Sequence, residues 1–352
     1  MIRKLGLVLA AALLSTTAFA GSSGSTYHLN YLTSNQKGVA ARKDRNLVNP
    51  WGMWQFPERG GAMWVADNGS DKVATYRLAS GRKQPVVFNA PGGPTGLALI
   101  PGRSDGTGDF KITNGDVTER SIFAVATEGG QIMGMNSDVD PQNAVVGYDG
   151  SAGGASFKGL GFLSERRELL AADFKNGVVD RIDNNFALEN TFTDPNLPAG
   201  YAPFNVRVLR GKVLVAFAKQ GDGGDEQKGA GFGFIDVFDH TGNMLQRLVD
   251  VGGALNAPWG MTEAPPAFGS FAGALLVGNF GDGKINVYDM TSGAQLGTLS
   301  GSDGNPLVID GLWGLMSGPA GEVTFAAGPN DESNGLLGTI EVDAAGGAVV
   351  RK

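Results

Sequence analysis

From Asn49 onward the chain repeats one arrangement of apolar and polar positions. Each copy opens on a turn with a small or amide residue set among aromatic or apolar ones. The openings are Asn49-Pro50-Trp51-Gly52-Met53, Gly93-Pro94-Thr95-Gly96-Leu97, Phe157-Lys158-Gly159-Leu160, Ala202-Pro203-Phe204-Asn205-Val206, Asn256-Ala257-Pro258-Trp259-Gly260-Met261 and Asp310-Gly311-Leu312-Trp313-Gly314-Leu315. A short apolar run ending in polar residues follows each one: Met63 to Asn68, Phe123 to Glu128, Leu169 to Phe174, Val213 to Lys219, Leu275 to Phe280 and Val323 to Gly328. Such short runs bounded by turn residues predict buried strands. A third segment alternates apolar and polar residues, most plainly Phe234 to Asp239 and Lys284 to Asp289, and a more variable fourth, such as Gln84 to Phe88, closes the unit.

Four short strands per unit, repeating every ~45 to 60 residues, predict the blades of an all-β propeller. Six openings predict six four-stranded blades. A right-handed β-helix is excluded because its rungs are far shorter than these units. An open ring would leave pairing edges exposed. Tyr27 to Thr33 precedes the first opening and has no blade of its own, so it is predicted to close the ring as the outermost strand of the last blade.

Composition narrows the alternatives. Glycine occupies 56 of 352 positions, against about 7% in an average chain. That density disfavours a helical bundle, where each interior glycine costs ~1 kcal/mol against alanine. Glycine does not fall at every third position, which excludes collagen. With 42% apolar and 18% charged residues the chain can bury a core. There is no cysteine, so disulfides, thiolate metal sites and a cysteine nucleophile are excluded.

The N-terminus reads as a secretory signal. Arg3 and Lys4 precede an apolar run from Leu5 to Leu14, and Ala18-Phe19-Ala20 forms a small-x-small cleavage site before Gly21. The expected organisation is a signal peptide over residues 1–20, then a single propeller domain over 21–352, a monomer in the periplasm or outside the cell. Cleavage leaves 26 basic against 35 acidic residues, a net charge of −9. This balance argues against a nucleic-acid partner, whose binding rests on cationic contacts to phosphate. No later segment has the ~18 uninterrupted apolar residues of a membrane span.

Several phrases resemble a family of uncharacterised exported bacterial proteins similar to NHL-repeat propellers. They are Asn49-Pro50-Trp51-Gly52, Ala171 to Gly177, Leu197 to Asn205, Asn256 to Gly260, Gly278 to Gly283 and Ile309 to Gly314. The resemblance covers nearly all of the mature chain and implies a six-bladed propeller without implying an activity. Some members carry a C-terminal sorting segment with an apolar span; here the sequence ends at Val349-Val350-Arg351-Lys352 without one.

In a propeller, the starts of the inner strands and the ends of the second strands meet at one mouth of the central channel. The first set comprises Asn49, Trp51, Thr95, Lys158, Asn205, Asn256, Trp259, Asp310 and Trp313; the second comprises Asp67, Asn68, Glu128, Asp173, Asn176, Lys219, Gln220, Asn279, Asp282, Asn330, Asp331 and Glu332. A polar ring around a concave mouth is where a ligand is expected. Taken singly, Asp and Asn after a strand form side-chain-to-backbone turns, and the three tryptophans act as wedges between blades. Taken together, the ring suits a small polar or carbohydrate-like ligand, or an envelope-protein partner. The alternative is a calcium-dependent lactonase or esterase in which Glu128, Asp173, Asn279 and Asp282 hold the metal with hard oxygen ligands. His28 and His240 fall at a closing strand and a blade-edge turn, and neither a G-x-S-x-G elbow nor an HExxH motif occurs. Two insertions stand out, Arg103 to Glu119 in blade two and Gly221 to Gly229 in blade four. The second is expected to be a mobile loop; its Asp-Gly-rich text lacks the spacing of a calcium-binding EF-hand.

Overall fold

The computed structural model describes residues 24–56, 61–103 and 108–343. The signal segment over 1–20 and the tail over 344–352 lie outside the described residues. Six antiparallel sheets follow one another along the chain, each ordered from an inner to an outer strand. Blade one runs Pro50–Phe56, Ala62–Asp67, Lys72–Arg77 and Lys83–Asn89. The inner strands of the others are Pro94–Leu99, Phe157–Leu163, Tyr201–Leu209, Pro258–Glu263 and Leu312–Ser317. Every inner strand touches the next, and the sixth touches the first, so the ring is closed.

Closure follows the predicted route. Tyr27–Ser34 lies antiparallel to Leu336–Val342, from Tyr27 opposite Val342 to Ser34 opposite Leu336, with a bulge between Tyr31 and Thr33. A short strand, Arg42–Lys43, then pairs in parallel on its outer side. Tyr27 drives its ring into the core against Phe268, with centroids 4.8 Å apart, and its hydroxyl donates to the Phe268 carbonyl at 3.1 Å. The closing strand is therefore anchored in blade five as well as blade six.

The core is divided by the architecture. Strands alternate their side chains between two faces, and each face packs on the neighbouring blade. Six apolar clusters accordingly fill the six blade interfaces. Between blades one and two, for example, Ala66, Val73 and Phe88 meet Leu97, Phe123 and Val125. A seventh cluster lies on the channel axis and is mainly aromatic. Around that axis the inner strands approach so closely that five of six carry glycine at the equivalent position; a Cβ on Gly96 would stand 2.0 Å from the Leu160 nitrogen. Blade four has Asn205 instead, whose amide donates to the Trp259 carbonyl at 2.7 Å and ties blade four to blade five.

The described residues of both insertions are held by specific contacts. In blade two, Lys111–Asn114 and Val117–Arg120 form a hairpin, with Phe110 and Ile112 buried between blades two and three. The blade-four insertion, expected to be mobile, is instead tied down. The Gly221 amide donates to the Asp225 carbonyl, the Gln227 amide to the Lys219 carbonyl, and the Gly229 amide to Asn256 Oδ1, each at 2.7 Å. Its low apolar content is offset by these hydrogen bonds rather than by burial of hydrophobic surface. No helix among the described residues is long and apolar enough to cross a membrane.

Candidate functional site at the channel mouth

At the mouth where the inner strands begin, a cavity of about 400 Å³ is lined by Trp51, Glu128, Lys158, Asp225, Glu226, Lys228, Phe280, Asp331 and Glu332. Its floor is an aromatic stack. Trp313 lies between Trp51, at 3.5 Å and 17°, and Phe280, at 3.9 Å and 16°, while Trp259 meets both tryptophans edge-on at 5.8 Å. The three tryptophans, expected to wedge between blades, instead plug the channel. They occupy the first channel-facing position of their strands, where the ring brings side chains from different blades onto a common axis. Trp313 Nε1 donates to Asn49 Oδ1 at 2.9 Å and Trp259 Nε1 to the Lys158 carbonyl at 2.8 Å. Trp51 Nε1 is buried and has no partner among the described residues.

Above the plug, Lys158 is the central charge, with a side chain only 3% exposed. Its ammonium contacts Glu128 Oε1 and donates to Asp225 Oδ1 at 3.0 Å. Burial works against this charge, but the attraction of Glu128, Glu226 and Asp225 outweighs it and raises the ammonium above the ordinary lysine range. Glu128 is held from its other side. Asn68 Nδ2 donates to Glu128 Oε2 at 2.8 Å, Asn49 Nδ2 to Asn68 Oδ1 at 3.3 Å, and the chain ends at Trp313. One hydrogen-bonded path thus runs from blade six through blades one and two to blade three, fixing the site by a polar network rather than by apolar packing.

Two further carboxyls of the cavity, Glu226 and Glu332, are raised above the ordinary range. Burial pushes Glu226 up to about 7 despite the opposing pull of Lys158. Glu332 is raised by burial and by repulsion from Glu128. Near neutral pH Glu226 can thus both donate and accept a hydrogen bond, whereas an ionised carboxylate only accepts. Glu332 reaches the cavity on a strained turn: Asn330, Asp331 and Glu332 have φ of 57°, 48° and 62°. Left-handed backbone costs a non-glycine residue ~1–2 kcal/mol, and such strain gathers at functional sites.

Of the residues expected at this mouth, Trp51, Glu128, Lys158, Asp331 and Glu332 line the cavity, and Asn49 and Asn68 support it. Others perform local work. Asp173 accepts from the amides of Ser156 and Asn176 and from Asn176 Nδ2 at 2.7 Å, making the expected strand-end turn. Asn279 Nδ2 donates to Asp282 Oδ1 at 3.0 Å in a similar turn. Gln220 donates to the Phe174 carbonyl, Lys219 lies over the Phe232 ring, and Asp310 accepts from the Asn330 amide. Thr95 bridges to the Phe157 carbonyl at 2.8 Å, and Asn205 and Asn256 join backbone segments. Asp67 is fully buried, with neither oxygen partnered among the described residues, and burial holds its carboxyl far above the usual range.

Glu128, Asp173, Asn279 and Asp282, the four expected calcium ligands, sit in three separate hydrogen-bonded groups. The described residues contain no group of three or more His, Asp or Glu placed to hold a metal ion. Asp225, Glu226, Lys228 and Phe280 also line the cavity and are not among the residues expected there. The available signal was the position of the blade-four insertion, immediately after a second strand that ends at this mouth.

No protein-family model matches the chain. Solved structures with the same fold include a streptogramin B lyase (TM-score 0.54, 14% identity, covering 90% of this chain and 98% of that one). A catalytically inactive histidine-to-alanine variant of virginiamycin B lyase from Staphylococcus aureus with quinupristin is also similar (TM-score 0.52, 12% identity, covering 90% and 100%), as is a glucose dehydrogenase (0.51, 13%, 90% and 100%). At these identities the likeness establishes the propeller fold alone. Two uncharacterized proteins of Acanthamoeba polyphaga mimivirus are nearer in sequence, each 31% identical: over 335 residues, 90% of this chain and 80% of the relative, and over 337 residues, 91% and 87%. The propeller implied by the sequence resemblance is thus observed, while the relatives matched are viral rather than exported bacterial proteins. With that identity across nine-tenths of its length, the chain belongs to the same family as these two mimivirus proteins.

Proposed function

We propose that the upper mouth binds a small polyhydroxylated or amine-bearing ligand, such as a carbohydrate. The observation that carries this reading is the convergence of five carboxylates and two ammoniums on one cavity over an aromatic floor, with Lys158 nearly buried among them. Its volume lies within the ~300–1,000 Å³ of small-molecule sites. Excess carboxylate disfavours an anion and accepts from ligand hydroxyl or ammonium groups, and burial leaves Glu226 able to donate. The strained turn under Asp331 and Glu332 supports the same reading.

Lyase chemistry of the kind named for the solved neighbours has less support here. One of those enzymes is inactive as a histidine-to-alanine variant. In this chain His28 lies on the closing strand against Asp343 at 2.8 Å, and His240 lies at a blade edge against the Gly211 carbonyl. Neither lines the mouth.

Titrating Trp fluorescence with glucosamine, glucose and glucuronate tests the proposal. Glucosamine is expected to bind most tightly and glucuronate least, with Glu226→Gln weakening glucosamine by about tenfold. Tighter binding of glucuronate, or no response to any of the three, would sink the idea. We also infer that the protein is exported, supported by the basic, apolar and small-x-small succession before Gly21. Mass spectrometry of protein recovered outside the cytoplasm should then find Gly21 as its first residue; an intact Met1 on that material would refute cleavage.

A further inference from the structure

The inner strands end at the opposite mouth, where a second cavity of about 500 Å³ opens. The aromatic plug and the close-packed waist separate it from the first; the waist encloses a space of only about 20 Å³. Three residues beyond the plug position, the six strands carry Trp54, Ala98, Gly161, Arg207, Thr262 and Met316. Arg207 is the only charged member of that ring. Its Nε is buried without a partner, and no carboxylate pairs with its guanidinium among the described residues. The guanidinium lies 5.8 Å from the centroid of the Trp54 ring. Burial holds it below its ordinary range, as expected for a partly buried cation without a counter-charge among the described residues.

The surroundings specify the kind of group Arg207 would accept. The only carboxylate lining this cavity among the described residues, Glu263, is already held by Arg210, from Nε at 2.9 Å and Nη2 at 2.5 Å, with a further Arg210 bond to the Gly273 carbonyl. The walls are mainly apolar, with Trp54, Leu99, Leu209 and Met316, and are interrupted by Gln55, Thr262 and Ser317, of which Gln55 donates to the Ser317 carbonyl at 2.5 Å. An arginine fork matches a planar carboxylate in two parallel hydrogen bonds, and the walls suit an apolar body attached to it.

We propose that the lower mouth is a second binding site, for a small carboxylate with an apolar or aromatic body, in which Arg207 takes the carboxylate and Trp54 packs on the body. The two mouths thus have opposite selectivity. The upper one presents excess negative charge, and among the described residues the lower one presents one positive charge, Arg207, without a counter-charge in a mainly apolar cup.

Calorimetric titration of the whole protein with 4-phenylbutyrate, its neutral amide and inorganic phosphate tests the assignment. The acid is expected to bind at one site about tenfold more tightly than the amide, with phosphate weaker than either. Arg207→Met should remove the preference for acid over amide. Its melting temperature without ligand should be unchanged or higher, because an unpaired buried cation is lost. Trp54→Leu should weaken acid and amide alike and keep the preference, which preserves the test should Arg207→Met fail to fold. Equal binding of acid and amide, tighter binding of phosphate, retention of the preference in Arg207→Met, or no binding of the acid to the folded wild-type protein would each overturn the proposal.

Discussion

At the scale of single residues, the channel is shaped by positions where one atom decides the outcome. Gly96 permits the inner strands of blades two and three to touch; the 2.0 Å approach to Leu160 leaves no room for a methyl group. The left-handed turn at Asn330, Asp331 and Glu332 represents the opposite choice, because three residues with side chains are kept where glycine would cost less. Two of these side chains line the cavity, so the strain is offset by presenting carboxylates to it. Glu332 also holds its carboxyl against burial and the charge of Glu128. Replacing Glu332 with glycine relieves both effects and is expected to raise stability in urea unfolding by about 1 kcal/mol, net of the greater chain entropy of glycine. The same variant should bind glucosamine more weakly than the wild type. A less stable variant would show that the turn is not strained.

At the scale of elements, ring closure depends on one strand. Tyr27–Ser34 completes the sixth blade, and Tyr27 also packs into blade five. Without it, Leu336–Val342 would present an unpaired edge over a core already built for a neighbour. Deleting Tyr27–Ser34 is expected to lower the melting temperature by roughly 10 °C or more and to produce oligomers through the exposed edge. Differential scanning calorimetry with size-exclusion chromatography reads both effects, and an unchanged melting curve with a monomeric profile would contradict the closure role. The blade-four insertion works at the same scale. Its backbone hydrogen bonds form a wall that carries Asp225 and Glu226 over Lys158.

At the scale of the whole molecule, buried acids set the response to pH. Burial pushes Asp180 and Glu226 up to about 7 and Asp236 up to about 6, and raises Asp67 well above its usual range. Unfolded carboxyls titrate near ~4, so between about pH 4 and 7 the folded protein binds more protons than the unfolded chain. The stability from these groups is complete below about pH 4 and is lost as pH rises through 6 and 7. Turn carboxylates act in the other sense. Hydrogen bonds from backbone and side chains hold Asp239 and Asp289 below the usual range, so their contribution is present above about pH 4 and lost on further acidification. Stability is therefore expected to peak on the mildly acidic side and to fall between pH 5 and 8, with Asp180→Asn flattening the fall. Urea midpoints measured across that range check this; a midpoint rising from pH 5 to pH 8 would be incompatible with it.

The blades, their number and the closing strand were legible in the chain, because strand alternation, turn glycines and repeat spacing are local properties that each unit restates. Glu128, Lys158 and Asp331 were also legible as mouth residues, since their place in the repeat puts them at the strand ends. Their partners were not. Asp173 and Asn279 occupy strand-end positions like those of the site residues, yet their side chains fold back onto their own turns. The tryptophans form a plug because the ring diameter brings three blades' side chains onto one axis. Asp225 and Glu226 join the site because an insertion folds over the channel, and Arg207 has no carboxylate partner among the described residues because Glu263, which lines the same cavity, is taken by Arg210. The sequence by itself determined the repeating unit and the closed ring, through local periodicity and the cost of an open edge. Only the tertiary structure decided which charges face one another, because distances across the channel depend on how all six blades pack.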